Sequence, residues 1–306
     1  MYDIIIVGAG PAGLTAALYA RRAEKSVLVI ERDSFGGQIT HSPRVENYPG
    51  FIEMSGNEFA DKLIEQVMAM DAEIELDEVK SIEGESGAYR VVCAGGEFEA
   101  KSVIIATGSR HRTLSIPDEE KFVGDGISYC AVCDGAFYKG KTVAVIGGGN
   151  SALQDAVLLS TGCKKVIVVQ NLPYLTGEKR LVNILEKRDN VDFILSHTVR
   201  SILSEDGAFR GIEIVSEDGE SRSLEVDGIF VAIGQIPDNE PFKNVANLNS
   251  YGYIEAGEDC VPNGKSGGIF VAGDCRTKAI RQITTATADG AVAALAACRF
   301  IDSLGE

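Results

Sequence analysis

Residues 128–137 read SYCAVCDGAF, with Cys130 and Cys133 two residues apart and Asp134 directly after them. Three chemistries fit such a pair: a redox disulfide, half of a zinc site, or two unreactive thiols. Zinc takes four ligands, usually as two pairs. The other cysteines, Cys93, Cys163, Cys260, Cys275 and Cys298, are scattered singly, and His41, His111 and His197 offer no companion pair. No metal is therefore expected. A C-x-x-C at the start of a helix sets its first thiol near backbone N–H groups, which lowers the thiol pKa and favours exchange. Asp134 can protonate a departing thiolate or take a proton from a thiol. The catalytic candidates are thus Cys130, Cys133 and Asp134. Seven cysteines are an odd count and make no disulfide framework, so the other five are expected as small buried residues.

An internal repeat supplies the elements that must position this pair. The N-terminus reads YDIIIVGAGPAGLTAALYARRAEKSVLVIE. An apolar strand runs into Gly8-Ala9-Gly10-Pro11-Ala12-Gly13, then a helix follows, then a second strand ending in Glu31. That strand, glycine turn, helix, strand order is the setting a dinucleotide fingerprint needs. Gly8 permits the tight turn, Gly10 lets backbone N–H groups reach a pyrophosphate at the helix start, and Gly13 allows close packing of helix on sheet. Glu31 can accept from ribose hydroxyls. The pattern returns in KTVAVIGGGNSALQDAVLLSTGCKKVIVVQ, where Gly147, Gly149 and Ala152 repeat Gly8, Gly10 and Gly13, and Gln170 falls where Glu31 predicts. Two copies in register are far more specific than one.

Two further strands end in glycine turns, at Ala106-Thr107-Gly108 and at Gly234. Near the end, GGIFVAGDCRTKAIRQITTATADGAVAALAA reads as a strand, an acid at its carboxyl end (Asp274, after Gly273) and a long helix of small residues. It looks like a return to the first domain. The expected fold is α/β: two doubly wound Rossmann-like domains, each opening on a dinucleotide-type turn, the second inserted into the first. The boundaries expected are 1–114, 115–243 and 244–306, with linkers near HRTLSIPDEEK (111–121) and IPDNEPFKN (236–244), both carrying proline and charge. Ser55 and Glu58 predict a capping box, and residues 204–226 predict hairpin strands with Asp-Gly turns.

Composition narrows the function. The 306 residues are 45% hydrophobic and 24% charged, a globular mix, and the net charge of -16 leaves no basic field for nucleic acid. Met1 runs straight into YDIIIV without a basic leader, and no apolar run is long enough to span a bilayer. The expectation is a cytoplasmic protein.

Taken together, GAGPAG, GGQITHSPRVENYPGF (36–51), IIATGS, GISYCAVCDGAF, GGGNSA, FVAIGQIPDN and GIFVAGDCRTKAIRQ resemble the low-molecular-weight thioredoxin reductases over nearly the whole chain. The resemblance implies FAD on the first domain, a homodimer, and a redox disulfide on the second domain that carries electrons from flavin to thioredoxin. It implies an FAD site of Gly8, Gly10, Pro11, Ala12, Gly13 and Glu31 for the ADP half. Gly37, Gln38 and Asn47 would line the flavin, and Ala106, Thr107 and Gly108 would close over the nucleotide. Gly273 and Asp274 would lie at the ribityl and pyrophosphate. Arg281, Gln282 and Ile283 would form a helix start facing the isoalloxazine, where the helix dipole favours an anionic reduced flavin. By the same resemblance Cys133 is the cysteine facing the flavin.

One stretch departs from the family. NADPH-using relatives carry a basic H-R-R-x-x-x-R run after the second strand of the nucleotide domain. Here that run is QNLPYLT, and Gln170, Asn171, Leu172 and Thr176 hold its places without charge. Lys179 and Arg180, the nearest bases, come later on an expected helix. Neutral side chains do not replace bidentate guanidinium contacts to a 2′-phosphate. NADPH is expected to bind poorly, and Gln170 is not the acid that reads a 2′-hydroxyl for NADH. Two donors stay open: ferredoxin, as in the ferredoxin-dependent flavin branch, or NAD(P)H held by altered contacts, which the intact GGGNSA turn favours. The acidic net charge works against docking an acidic ferredoxin unless basic residues cluster locally. A reading of another class, a flavin redox sensor or an oxidase, is opposed by the intact C-x-x-C.

Overall fold

Runs such as YDIIIV and KTVAVI show no polar face, so they belong inside a sheet covered on both sides. The computed structural model describes residues 1–42, 45–264 and 267–305. It divides into two compact units, one of residues 1–110 with 236–306 and the other of 111–235. Among the described residues no helix is long and apolar enough to cross a membrane.

In chain order the first unit begins β1 (Tyr2–Val7), α1 (Pro11–Arg22), β2 (Val27–Glu31), α2 (Gly56–Met68), β3 (Glu73–Leu76), β4 (Val79–Glu85), β5 (Ala88–Cys93), β6 (Glu97–Ile105) and β7 (Ser109–His111). The second unit holds β8 (Ile127–Ser128), α3 (Ala131–Asp134), β9 (Thr142–Ile146), α4 (Asn150–Leu159), β10 (Lys165–Val169), α5 (Lys179–Leu185), β11 (Val191–Ile194), β12 (His197–Glu205), β13 (Ala208–Ser216), β14 (Ser221–Glu225) and β15 (Gly228–Val231). The chain then closes with β16 (Gln235–Pro237), β17 (Ile269–Val271) and α6 (Ile283–Ser303).

The first unit carries a parallel layer β3-β2-β1-β6, with β17 pairing parallel to the last part of β6. The first half of β6 instead pairs antiparallel with β5, and β5 with β4. Strand alternation sends Ile4, Ile6, Val27, Val29 and Ile104 to the side of α1 and α6. Ile5, Val7, Leu28, Ile30 and Ile105 go to the other side, against Val91 and Phe242. Helices α1 and α6 approach closely because Gly290 has no side chain: a Cβ there would lie 2.2 Å from the Ala12 carbonyl oxygen.

The second unit repeats the plan as an all-parallel sheet, β11-β10-β9-β15-β8. Val143, Val145, Val166 and Val168 face α4, while Ala144, Ile146, Ile167 and Val169 face the antiparallel sheet β12-β13-β14. The expected hairpins are there, turning at Asp206-Gly207 and Asp218-Gly219. The Ser55–Glu58 capping box also forms, with Glu58 N donating to Ser55 Oγ at 3.1 Å and Ser55 N donating to Glu58 Oε2 at 2.7 Å.

The unit edges differ from the boundaries 114/115 and 243/244 expected from sequence. Residues 236–243 are core of the first unit rather than linker. Phe242 is 2% exposed beneath β4 and β5, and buried Asn239 donates to the carbonyls of Gly252 (2.9 Å) and Cys275 (2.7 Å). Residues 111–114 belong to the second unit, where Leu114 packs against the core side of β9 and β10 and donates its N–H to Glu119.

Candidate functional site

In the first unit the glycine turn is shaped by its neighbours. Gly8 sits at φ +108°, its N–H donates to the Ile30 carbonyl, and a Cβ would lie 2.4 Å from the Ala106 carbonyl oxygen at the end of β6. A Cβ on Gly13 would lie 1.9 Å from the Gly8 oxygen. Only glycine fits either place. Gly10 is different. The nearest atom to a Cβ there is the Gly36 oxygen at 3.9 Å, so the protein itself leaves room over this residue. Gly10 caps α1, Pro11 begins it, and buried Ala12 is packed under Gly290 and Gly273. The Glu31 carboxylate is held at the end of β2 by three backbone N–H groups, those of Ala9 (2.7 Å), Arg32 (2.9 Å) and Asp33 (2.9 Å).

Around this turn the other expected residues assemble. The Gly36 N–H donates to the Ala9 carbonyl, and Gly37 and Gln38 open a short 3-10 turn, residues 37–41, beside Gly10. Residues 43 and 44 of the 36–51 motif lie outside the described residues. Asn47 donates to Gln282 Oε1 at 3.2 Å. Ala106 donates its N–H to Val7 O, Thr107 Oγ1 meets Asn239 Oδ1 at 3.1 Å, and Gly108 turns the chain at φ +66°. Gln282 caps α6, ahead of Ile283, and Arg281 lies 4.3 Å over the Tyr253 ring.

Asp274 follows Gly273 (φ +81°) at the end of β17. Its Oδ1 is buried with no hydrogen-bond partner among the described residues. Burial pushes its carboxyl up to about 6, against the pull of Lys278 and Arg281. A buried, unpaired carboxylate oxygen costs stability unless something polar meets it. An open glycine, a fixed ribose-type acid and this unpaired oxygen fit a bound dinucleotide.

Asp289, on α6, carries no motif in the sequence. It accepts from Arg276 Nε (2.9 Å), Arg276 Nη2 (2.8 Å), Lys278 Nζ (2.9 Å) and Gly273 N (3.0 Å). The cluster pins both sides of the turn that carries Asp274. Burial alone would raise the Asp289 pKa, but the Arg276 and Lys278 bonds hold it below the ordinary carboxylate value. The sequence signal is an Asp set among the alanines and glycine of that helix.

In the second unit Cys130 and Cys133 are joined as a disulfide, with Cα atoms 5.3 Å apart. Cys130 caps the short helix α3, and its Sγ accepts from Cys133 N at 3.2 Å, the geometry that steadies a thiolate. Asp134 accepts from Ser128 Oγ at 2.6 Å through Oδ2, while its Oδ1 is buried with no partner among the described residues. Burial raises the Asp134 pKa, offset in part by the Ser128 bond. Val132, between the cysteines, is 56% exposed, so the pair sits at an accessible surface of its unit. Sequence reasoning missed Ser128; its place two residues before Cys130 is the one available clue. The five other cysteines are all buried.

The second glycine turn keeps its form. Gly147 is at φ +129° with a Cβ position 2.5 Å from the Ala232 oxygen, matching Gly8 against Ala106. Gly149 has nothing nearer to a Cβ than Thr176 Oγ1 at 3.8 Å. Gln170 is buried over Gly148, and Thr176 and Gly177 donate their N–H groups to the Gly148 carbonyl. Lys179 and Arg180 begin α5 and are exposed.

The sequence profile of the pyridine nucleotide-disulphide oxidoreductase family matches residues 2–290. A thioredoxin reductase of Bacillus subtilis (strain 168) is 41% identical, over 100% of this chain and 96% of its own. A 34.2 kDa protein in the rubredoxin operon of Clostridium pasteurianum is 42% identical, over 98% of this chain and 97% of its own. The crystal structure of thioredoxin reductase from Streptococcus pyogenes MGAS5005 superposes with a TM-score of 0.93 at 38% identity, covering 99% of each chain. Enzymes of this kind depend on FAD, which the open Gly10, the Glu31 carboxylate and the unpaired Asp274 oxygen fit. The chain therefore belongs to the pyridine nucleotide-disulphide oxidoreductase family, among the low-molecular-weight thioredoxin reductases.

Proposed function

We propose that this chain reduces thioredoxin through the Cys130–Cys133 disulfide, fed from FAD, with reduced ferredoxin or another non-NADPH reductant as the electron donor. The observation that carries the disulfide route is the pair itself: bonded, at a helix start, beside a buried carboxyl of raised pKa. When bound, FAD supplies the electron pair that opens the disulfide.

The chain's own residues do the rest. The N–H groups of Ala12 and Gly13 in the first turn of α1 would hold the pyrophosphate, and Glu31 would take the ribose hydroxyls. Asp274 Oδ1 would accept from a polar group of the cofactor, and the start of α6 at Gln282 and Ile283 would offer a positive helix end to an anionic ring system. The Cys133 N–H steadies sulfur on Cys130 as a thiolate. That thiolate attacks the disulfide of thioredoxin, and the second cysteine resolves the mixed disulfide. Asp134 carries the proton. A homodimer is part of the proposal.

The donor assignment rests on Gln170, Asn171, Leu172 and Thr176, four neutral side chains where a 2′-phosphate needs arginine. A second reading, NAD(P)H held by altered contacts, is favoured by the room retained over Gly149. Anaerobic bleaching of the flavin separates them: reduced ferredoxin is expected to bleach it and NADPH or NADH is not. Rapid bleaching by micromolar NADPH would overturn the donor assignment. Cys130→Ser and Cys133→Ser are each expected to end thioredoxin reduction with flavin still bound, and turnover in both would sink the disulfide route.

A further inference from the structure

Ser128 ends the edge strand β8 and is 3% exposed. Its hydroxyl oxygen accepts the Cys130 N–H at 3.1 Å, and its hydroxyl hydrogen has two acceptors in reach. One is Asp134 Oδ2 at 2.6 Å; the other is the Cys130 carbonyl at 3.4 Å. A hydroxyl has a single proton to give, and the short bond to a carboxylate is the stronger. The direction of the chain is therefore set: Cys130 N–H to Ser128, Ser128 O–H to Asp134 Oδ2. A proton arriving on Oδ2 would force the Ser128 hydrogen over to the long contact. A proton on Oδ1 disturbs nothing, because Oδ1 is buried without a partner among the described residues.

We infer that Ser128 is a positioning residue of the exchange reaction, which confines the transferable proton of Asp134 to Oδ1 and ties that carboxyl to the backbone of Cys130. The inference rests on the disulfide route proposed above. Opening of the Cys130–Cys133 bond by two electrons leaves two sulfur anions. The Oδ1 proton passes to one of them, giving one thiol, one thiolate and the Asp134 carboxylate. Reoxidation of the pair by a thioredoxin disulfide passes two electrons to that substrate, whose two sulfurs take their protons from solvent, and the thiol proton of the pair returns to Oδ1. The link through Cys130 N makes the carboxyl follow the cysteine when the bond opens.

Two titratable groups lie on the elements packed around α3. Tyr138 ends the following 3-10 turn and feels Asp134; Asp155 on α4 is raised to about 6 by burial alone. Neither contributes to the Asp134 shift, which comes from burial and from Ser128.

The test follows thioredoxin disulfide reduction by photochemically pre-reduced holoenzyme across pH, in wild type, Ser128→Ala, Ser128→Thr and Asp134→Asn. Activity that needs protonated Asp134 falls as pH rises through its pKa. Removing the Ser128 donor destabilises the carboxylate, so in Ser128→Ala this falling limb moves to higher pH. Its plateau rate drops by about tenfold or more, the scale of one misdirected proton transfer. Ser128→Thr restores both, and Asp134→Asn loses the limb. A wild-type rate and profile in Ser128→Ala overturns the inference. So does a rate loss with an unmoved limb that threonine does not rescue, since that marks a merely structural role. A second readout needs no alanine variant. The infrared carbonyl band of protonated Asp134, assigned by its loss in Asp134→Asn, is expected at a hydrogen-bonded frequency in wild type and Ser128→Thr; a free-carbonyl frequency overturns the inference. The disulfide route itself stands or falls separately, on turnover in Cys130→Ser and Cys133→Ser.

Discussion

Replacing Asp289 by alanine removes the carboxylate that is hydrogen-bonded to both Arg276 and Lys278. The side chains of these three residues are only 7–10% exposed, so the two cations would stay buried without their carboxylate. Breaking a buried ion pair from one side costs about 3–5 kcal/mol, because the remaining charge is uncompensated. Gly273 N also loses its acceptor, which adds roughly 1 kcal/mol. The expected loss for Asp289→Ala at pH 7 is about 4–6 kcal/mol, and Asp289→Asn should lose nearly as much because it keeps the shape but not the charge. The assay is urea unfolding followed by far-UV dichroism, with flavin fluorescence reporting release of FAD. Flavin should leave at lower urea than in wild type, since the Asp274 turn is freed. The sign with pH follows from the depressed folded pKa. The Asp289 contribution is present above the unfolded carboxylate value, about 4, and fades as pH falls through the lower folded value. The gap between wild type and Asp289→Asn should therefore close in acid. A loss below about 1 kcal/mol at pH 7, or a gap that widens in acid, would refute the reasoning.

Two further outcomes are expected. Asp274 is ionised at pH 8 at a cost to the cofactor-free fold, because its pKa is raised to about 6 by burial. Asp274→Asn should thus stabilise the apoprotein by about 3 kcal/mol at pH 8, with the gain vanishing below the unfolded carboxylate pKa, while weakening FAD binding about tenfold; paired thermal melts and flavin titrations read the two signs. Gly13→Ala places a Cβ 1.9 Å from the Gly8 oxygen and should cost about 1–3 kcal/mol with loss of flavin, measured by melting temperature and absorbance.

What the sequence discloses is what short-range sterics dictate. Gly8, Gly13 and Gly147 are glycines because backbone atoms crowd their Cβ positions, and that demand is written into neighbouring residues as a fixed spacing. The cysteine pair and Asp134 are legible because they are near neighbours in the chain, at the start of one short helix. Contacts between distant segments are not. Asp289 meets Arg276 and Lys278 only because α6 folds back beneath its own leading turn. Residues 236–244 carry proline and charge and read as a linker, yet Phe242 and Asn239 anchor them in the core of the first unit. Ser128 is hidden because serine is common, and its significance lies in a hydroxyl direction no pattern encodes. The neutral run after β10 is visible at once as a departure from the family, since charge is legible without a fold.

The seat beside β6 is filled by β17, which leaves the ribosome after the whole inserted unit has been made. Helix α6, whose alanines complete the core against α1, emerges later still. The inserted unit has every strand of its own sheet in hand by residue 231 and is free to fold while translation continues. The amino-terminal segment, residues 1–110, must wait with the α6-facing side of α1 bare. The nascent chain is thus most vulnerable to aggregation over that interval, while this apolar side of α1 lacks its cover.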